Sequence, residues 1–265
     1  MTQPLITLTT DFGDESPYVA AMKGVLLSVD PAARLLDLTH EIPPQDVRYA
    51  SYFLAAALPY FPPQTLHVTV VDPGVGSERA ILYAEVAGQR MLAPDNGCLT
   101  ALFAERGPPT NVRRVRASRY FRPEISATFH GRDIFAPVAG HLSLGLDPAK
   151  LGPSVGDWVR LETPAPQQTK DEIRGEVVFV DHFGNLITNI PADMVRDRPQ
   201  LVRIGRRMIR RFTWVRTYAE VQPGEVALLV ASDGKIELAI AQGNAARRLR
   251  AGPGTPLVVL FRSLV

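Results

Sequence analysis

Hydrophobic residues change their spacing along the chain, and each change marks an element. ITLTTDF is an apolar, β-branched run that predicts a strand, and YVAAMKGVLLSV places Val19, Met22, Leu26 and Val29 at helical spacing before Pro31. RLLDLTH predicts a second strand, DVRYASYFLAAALPYF a second helix that is apolar on most sides, and TLHVTVVD a third strand. AILYAEVAG and QRMLAPD predict a hairpin, and CLTALFAERG a short helix closed by Gly107. RDIFAPVAGHLSLG predicts a further helix that tolerates Pro137 near its start. Strand and helix alternate through this part, which predicts an α/β N-terminal domain over residues 1–160.

Beyond Trp158 the texture changes. ETPAPQQTKDEI is polar, carries prolines and has no period, so residues 161–173 are expected to form a linker. GEVVFVD, NLITNI, LVRIG, FTWVRTY, VALLVAS, KIELAIAQ and TPLVVLF follow as short strands between turn residues. They predict a smaller all-β C-terminal domain of barrel or sandwich type over residues 174–265.

Composition changes this picture little. Of 265 residues 46% are apolar and 21% charged, the balance of a globular protein, and a net charge of +2 gives no general attraction to nucleic acid or membrane. Cys98 is the single cysteine, so no intrachain disulfide and no cysteine zinc cluster can form. The start MTQPLITLTTDFG lacks a basic region and a long apolar stretch, so the expectation is an unexported, cytoplasmic protein.

Candidate chemistry gathers at strand ends. Asp11 in TTDFGD, His40 and Glu41 in LTHEIPPQD, and Asp72 in VVDPGVG each end a predicted strand, where ligands bind in α/β sheets. Aspartate also caps turns, which accounts for Asp11 or Asp72 taken singly. GVGSER lacks both the Gly-Lys-Ser/Thr ending of a phosphate loop and the spacing of a dinucleotide fingerprint. FHGRD either starts a helix or holds His130, which can change charge near neutral pH, at that start. DHFGN is either a hairpin turn or a nucleoside clamp, with an aromatic face for a purine and an amide for an adenine edge. PDNG reads as a turn.

In this order TTDFGD, MKG, LTHEIPPQDV, VVDPGVGSER, APDNG, FHGRDIFAPVA, DHFGNLITNI and QGNAA resemble the S-adenosyl-L-methionine (SAM) hydroxide adenosyltransferase family, the adenosine-forming SAM hydrolases, kin to bacterial fluorinase and chlorinase. The resemblance runs from about Leu5 to Val259. It implies an N-terminal α/β domain with a central, largely parallel sheet, a barrel-like C-terminal domain, and a homotrimer with SAM between neighbouring subunits. It implies hydrolysis of SAM to adenosine and methionine, with SAM as substrate and with no cofactor and no metal. Carried over by motif, the catalytic residues are Asp72, Arg79 and His130, and Asp11 accepts from the ribose hydroxyls. Phe183 packs against the nucleoside, Phe129 is among the substrate-binding residues, Asp181 holds the ammonium, Asn185 the adenine edge and Ser232 the methionine end, while Asn244 and Ala245 meet adenine.

Four departures set the chain apart from the halogenases. Gln45 stands where they carry tryptophan, and Asp72 and Gly131 stand where the fluorinase has tyrosine and serine. The long fluorinase insertion is also missing, since only Ser77 and Glu78 separate Gly76 from Arg79. Chemically, the sulfonium leaves as a neutral thioether and needs no acid, so activation of water is the demanding step. An arginine favours the hydroxide form of a nearby water and would be repelled by the sulfonium, which places Arg79 beside the water and Asp72. Either Asp72 or His130 can take the proton. A metal-dependent phosphohydrolase using Asp11, Asp72, His130 and Asp133, a halogenase, and a non-catalytic SAM sensor are the competing readings.

Overall fold

The computed structural model describes residues 4–196 and 198–261. Two compact units divide the chain, Met1–Leu161 and Glu162–Val265.

The first unit is built on a six-stranded mixed sheet. Its strands are β1 (Leu5–Thr10), β2 (Arg34–Thr39), β3 (Leu66–Val70), β4 (Ile81–Val86), β5 (Gln89–Pro94) and β6 (Thr110–Arg114), in the order β2-β1-β3-β5-β4-β6. The β1–β2, β1–β3 and β3–β5 pairs are parallel, whereas β4 runs antiparallel to both neighbours. Four helices cover it: α1 (Tyr18–Val29), α2 (Val47–Ala57), α3 (Thr100–Arg106) and α4 (Ala136–Ser143). Met22, Leu26, Val138 and Leu142 of α1 and α4 pack with Ile6, Leu8 and Val68 in one core. Ala50, Leu54 and Leu102 of α2 and α3 pack with Leu82, Ala84 and Met91 in a second. Both cores follow from strands apolar on two faces, as expected of a sheet covered on both sides. The two covering layers leave the carboxyl ends of β1, β2 and β3 to the loops, and those loops carry Asp11, His40 and Asp72.

One polar chain crosses the second face. Thr7 and His67 are register partners on β1 and β3, and Thr7 Oγ1 meets His67 Nδ1 at 2.7 Å. His67 Nε2 meets Gln89 Oε1 at 2.6 Å, while the Gln89 amide donates to the carbonyls of Leu58 and Phe61. The Gln89 oxygen is therefore the acceptor, and His67 is neutral with its proton on Nε2. Burial pulls its pKa down to about 4, against the Gln89 hydrogen bond. Between the unfolded value of about 6.5 and this folded value only the unfolded chain gains a proton, so stability falls as pH drops through that window. The loss should approach about 3 kcal/mol at its acid end. Urea unfolding at pH 7 and pH 4.5 checks this, because a His67→Phe variant should show a flatter dependence. An unchanged dependence would remove His67 from the account.

The second unit is a nine-stranded sheet. It comprises β7 (Gln167–Gln168), β8 (Glu172–Val180), β9 (Leu186–Pro191), β10 (Leu201–Ile204), β11 (Arg207–Ile209), β12 (Thr213–Trp214), β13 (Val226–Val230), β14 (Lys235–Ile240) and β15 (Pro256–Leu260), with the short helix α5 (Ala245–Leu249) before β15. The path runs β11-β10-β15-β8-β9-β14-β13-β12, and β7 pairs with β8, so four residues of the expected linker are strand: Gln167 and Gln168 in β7, Glu172 and Ile173 in β8. Ile173, Val177, Leu186, Ile236, Leu238 and Val259 form its main core. The basic run 203–211 is a β10–β11 hairpin turning at Gly205, with Arg207 and Met208 exposed.

Candidate active site

Three of the residues read from the sequence meet at one point in the first unit. Asp72 follows β3, Arg79 precedes β4, and His130 stands directly before a π-helical turn, Gly131–Phe135, that leads into α4. Arg79 Nε donates to both Asp72 oxygens at 2.9 Å, and its Nη2 forms an ion pair with Asp72 Oδ2. The same Nη2 lies 2.9 Å from His130 Nδ1. The Asp72 and Arg79 side chains are 3% and 10% exposed, so solvent screens this pair little. A guanidinium has donors only, so His130 Nδ1 must accept and the ring proton sits on Nε2. Burial first, and then the charge of Arg79, lower the His130 pKa, which favours that neutral form.

Local sequence explains the meeting. Asp72 and Arg79 are brought face to face by a tight loop in which Val75 N–H bonds the Asp72 carbonyl and Ser77 N–H the Gly74 carbonyl. Gly76 has φ +78°, and a Cβ there would lie 2.2 Å from the Ala127 carbonyl oxygen, so only glycine lets the loop approach the segment before His130. Asp133, fully buried, anchors that segment by accepting from Arg122, Arg132 and the Ser126 N–H. Burial alone would raise its carboxyl, and these hydrogen bonds overcome it and hold the group below the usual range. Asp133 is thus committed to two arginines. Pro137 has no N–H to return to the preceding turn, and the Asp133 carbonyl accepts from Arg122 N–H at 2.9 Å instead.

Aromatic rings border the trio. Phe129 makes edge contacts with Phe12 and Tyr18 at 5.9 and 5.1 Å between centroids, and Arg132 lies over its other side at 5.0 Å. Asp11, one residue before Phe12, accepts the Gln45 N–H through Oδ2 at 2.8 Å and leaves Oδ1 without a hydrogen-bond partner among the described residues. His40 is buried with Nδ1 2.9 Å from Thr10 Oγ1, and Glu41 accepts from Asp14 N–H, so the second loop braces the Asp11 turn. PDNG does more than turn the chain. Asn96 Nδ2 donates to the carbonyl of Val71, the residue before Asp72. Phe12, Tyr18 and Asn96 join the site through contacts with Phe129 and Val71 that spacing along the sequence does not show.

The second unit gathers another set. Asp181 accepts from both the backbone and the side-chain amide of Asn185, at 2.8 and 2.9 Å. Gly184 has φ +85° and lies so close to Asn244 that a Cβ would overlap its amide at 2.1 Å. Asn244 caps α5, accepting the Arg247 N–H at 2.7 Å, and Ala245 is buried behind it. Phe183 projects from the turn, 73% exposed. Ser232 is exposed in the β13–β14 turn, apart from this group at the other end of the β9–β14 ladder.

A cavity of 320 Å³ lined by Leu58, Phe61, Met91, Leu102 and Arg106 contains none of these residues. Among the described residues no group of three or more His, Cys, Asp or Glu is placed to hold a metal ion, and no helix is long and apolar enough to cross a membrane.

Known proteins resemble the chain along most of its length. Residues 6–152 match the SAM hydroxide adenosyltransferase N-terminal domain and residues 175–258 its C-terminal domain. The (R)-S-adenosyl-L-methionine hydrolase of Salinispora tropica is 39% identical over 97% of both chains, and that of Methanocaldococcus jannaschii 35% identical over 92% of this chain and 91% of its own. A fluorinase from an Actinoplanes species is 28% identical over 71% of this chain and 72% of its own. The crystal structure of an uncharacterized conserved protein from Thermotoga maritima superposes with a TM-score of 0.91, at 36% identity over 97% of this chain and all of that one. The chain therefore belongs to the SAM hydroxide adenosyltransferase family.

Proposed function

We propose that this chain hydrolyses SAM to adenosine and L-methionine by attack of a water at the ribose C5′ carbon. The observation that carries the reading is the hydrogen-bonded Asp72–Arg79–His130 cluster, in a chain related to proteins named (R)-SAM hydrolase. In the mechanism, Nε2–H of His130 donates to the water, and the Arg79 charge favours the developing hydroxide. With its Nδ1 engaged by Arg79, His130 is a donor, so the proton passes to Asp72, whose Oδ1 accepts one hydrogen bond among the described residues. A water O–H breaks, the O–C5′ bond forms, the C5′–S bond breaks with its electron pair going to sulfur, and one proton is released per turnover.

In this reading Asp11 and Phe129 meet the ribose and nucleoside from the domain of residues 1–160. Residues 161–173 connect it to the domain of 174–265, where Asp181, Phe183, Asn185, Ser232, Asn244 and Ala245 take the adenine and methionine ends. The first sheet acts as the largely parallel platform of the family and the second as its barrel-like partner. Assembly is a homotrimer with SAM bound between subunits, in the cytoplasm. Phe183, a large aromatic exposed in the single chain, is placed where a nucleoside or a neighbouring subunit could pack on it.

Incubation of the purified protein with SAM, without added metal or halide, should release adenosine and methionine in equal amounts by chromatography. Binding without methionine release would make the protein a sensor. A 5′-halogenated nucleoside formed with chloride or fluoride would make it a halogenase, and inactivation by chelator a metalloenzyme.

A further inference from the structure

One buried carboxylate in the second unit has no role so far. Glu237 on β14 is 4% exposed, and its Oε1 accepts from the Tyr218 hydroxyl at 2.7 Å. Oε2 has no hydrogen-bond partner among the described residues. Its position is specific: Lys235 pairs with Pro191 and Leu238 with Leu186, so β14 enters from the turn of Ser232 and ends beside the turn of Asp181 and Asn185. Glu237 therefore stands between the two residues assigned to the amino-acid end of the substrate.

The charges that act most on it are negative. Burial, and then Asp181 and Asp233, push the Glu237 carboxyl above the usual range, against the Tyr218 hydrogen bond. The nearby cation, Lys235, is 3.4 Å from Asp233. Ile236 and Leu238 on either side are fully buried apolar residues, and an apolar side chain at 237 would spare the fold an unmatched buried acid. A ligand cation would relieve both the burial and the repulsion.

We propose that Glu237 is a substrate-recognition residue: with Asp181 it receives the ammonium group of the amino-acid moiety of SAM, while its other oxygen orients Tyr218. This rests on the proposed function for the identity of the ligand. The half-exposed Tyr218 ring is thereby fixed at the rim of the same site. A glutamate that served Tyr218 alone would leave discrimination of the ammonium to Asp181.

The test is binding rather than turnover, so that it stands apart from the hydrolysis assay. Affinities of S-adenosylhomocysteine, which carries the ammonium, and of 5′-methylthioadenosine, which lacks it, are measured by calorimetry for the wild type, Glu237→Gln and Tyr218→Phe. Glu237→Gln keeps an acceptor for the tyrosine and removes only the charge. It should weaken the homocysteine ligand roughly 10-fold to 100-fold, the worth of a hydrogen bond to a charged group, and leave the methylthio ligand within about two-fold. Tyr218→Phe should leave the ratio of the two affinities within about three-fold. Equal weakening of both ligands, no weakening of either, or a ratio moved as far by Tyr218→Phe would overturn the proposal. Circular dichroism melting should show Glu237→Gln at least as stable as the wild type, and Glu237→Met, similar in volume, should repeat the ratio change. If the wild type binds both ligands but releases no methionine from SAM, the hydrolysis reading fails and the ammonium site is still judged.

Discussion

Arg79→Ala should lower kcat by roughly 100-fold to 10,000-fold while KM for SAM moves by less than about three-fold. The guanidinium is the only member of the trio that bonds the other two, through Nε and Nη2 to Asp72 and through Nη2 to His130 Nδ1. Without it His130 is free to turn or change tautomer, and the water loses its nearest positive charge. Lysine should rescue little, since it offers a single point charge where the loop uses a planar fork. Because Arg79 neutralises a carboxylate that is 3% exposed, its removal also leaves a buried charge, a loss of about 3–5 kcal/mol. His130→Ala separates the two effects. It orphans no charge, and should match the kcat loss at nearly wild-type melting temperature. The double variant should be no slower than the worse single one, as for groups that act as a unit. Wild-type turnover in either single variant, measured by adenosine release, would dismiss the trio. The pH profile should agree: burial and the Arg79 charge lower the His130 pKa, so kcat/KM should fall at a more acid pH than an ordinary imidazole would give, when a proton on Nδ1 faces the guanidinium.

Gly76→Ala should be the most damaging loop substitution that touches no catalytic group. The new Cβ would lie 2.2 Å from the Ala127 carbonyl oxygen, which is backbone and cannot rotate away. The φ of +78° adds a left-handed penalty of roughly 1–2 kcal/mol. The loop must then withdraw from the segment that ends in His130, stretching the Arg79–His130 contact. The expected result is a kcat at least ten-fold lower with a stability loss of about 1–3 kcal/mol by urea titration. Gly74→Ala is the control. Its Cβ would meet only the Arg79 and Ser77 side chains at 3.2 and 3.4 Å, so stability should change by less than about 1 kcal/mol. Equal stability losses for the two would show that the Ala127 approach is not what demands glycine.

The N-terminal fold was legible wherever hydrophobic spacing was strong. The predicted helix from Tyr18 to Val29 and the hairpin of β4 and β5 lie where their apolar periods put them. β6 was missed because TNVRR is a polar edge strand with only Val112 buried. FTWVRTY reads as one strand, yet only Thr213 and Trp214 pair. The rest turns into a 3-10 segment whose Thr217–Glu220 capping box was available in the sequence as T-x-x-E. In the candidate site, acids at strand ends pointed to Asp11 and Asp72, and the motif order to Arg79 and His130. Glu237 stayed hidden because alternation along KIELAI explains the strand without it, and Tyr218 is nineteen residues away.

The proline at 137 shows how a helix can be judged wrongly by its own propensities. By withholding a donor, it leaves main-chain bonding capacity that Arg122 uses to stitch the 122–129 crossing segment to the cylinder beside it. A residue better suited to a helix would compete for that stitch. The effect of this proline thus falls on a neighbouring loop as well as on the element that contains it, and a replacement there should be judged by the order of that loop as much as by helix propensity.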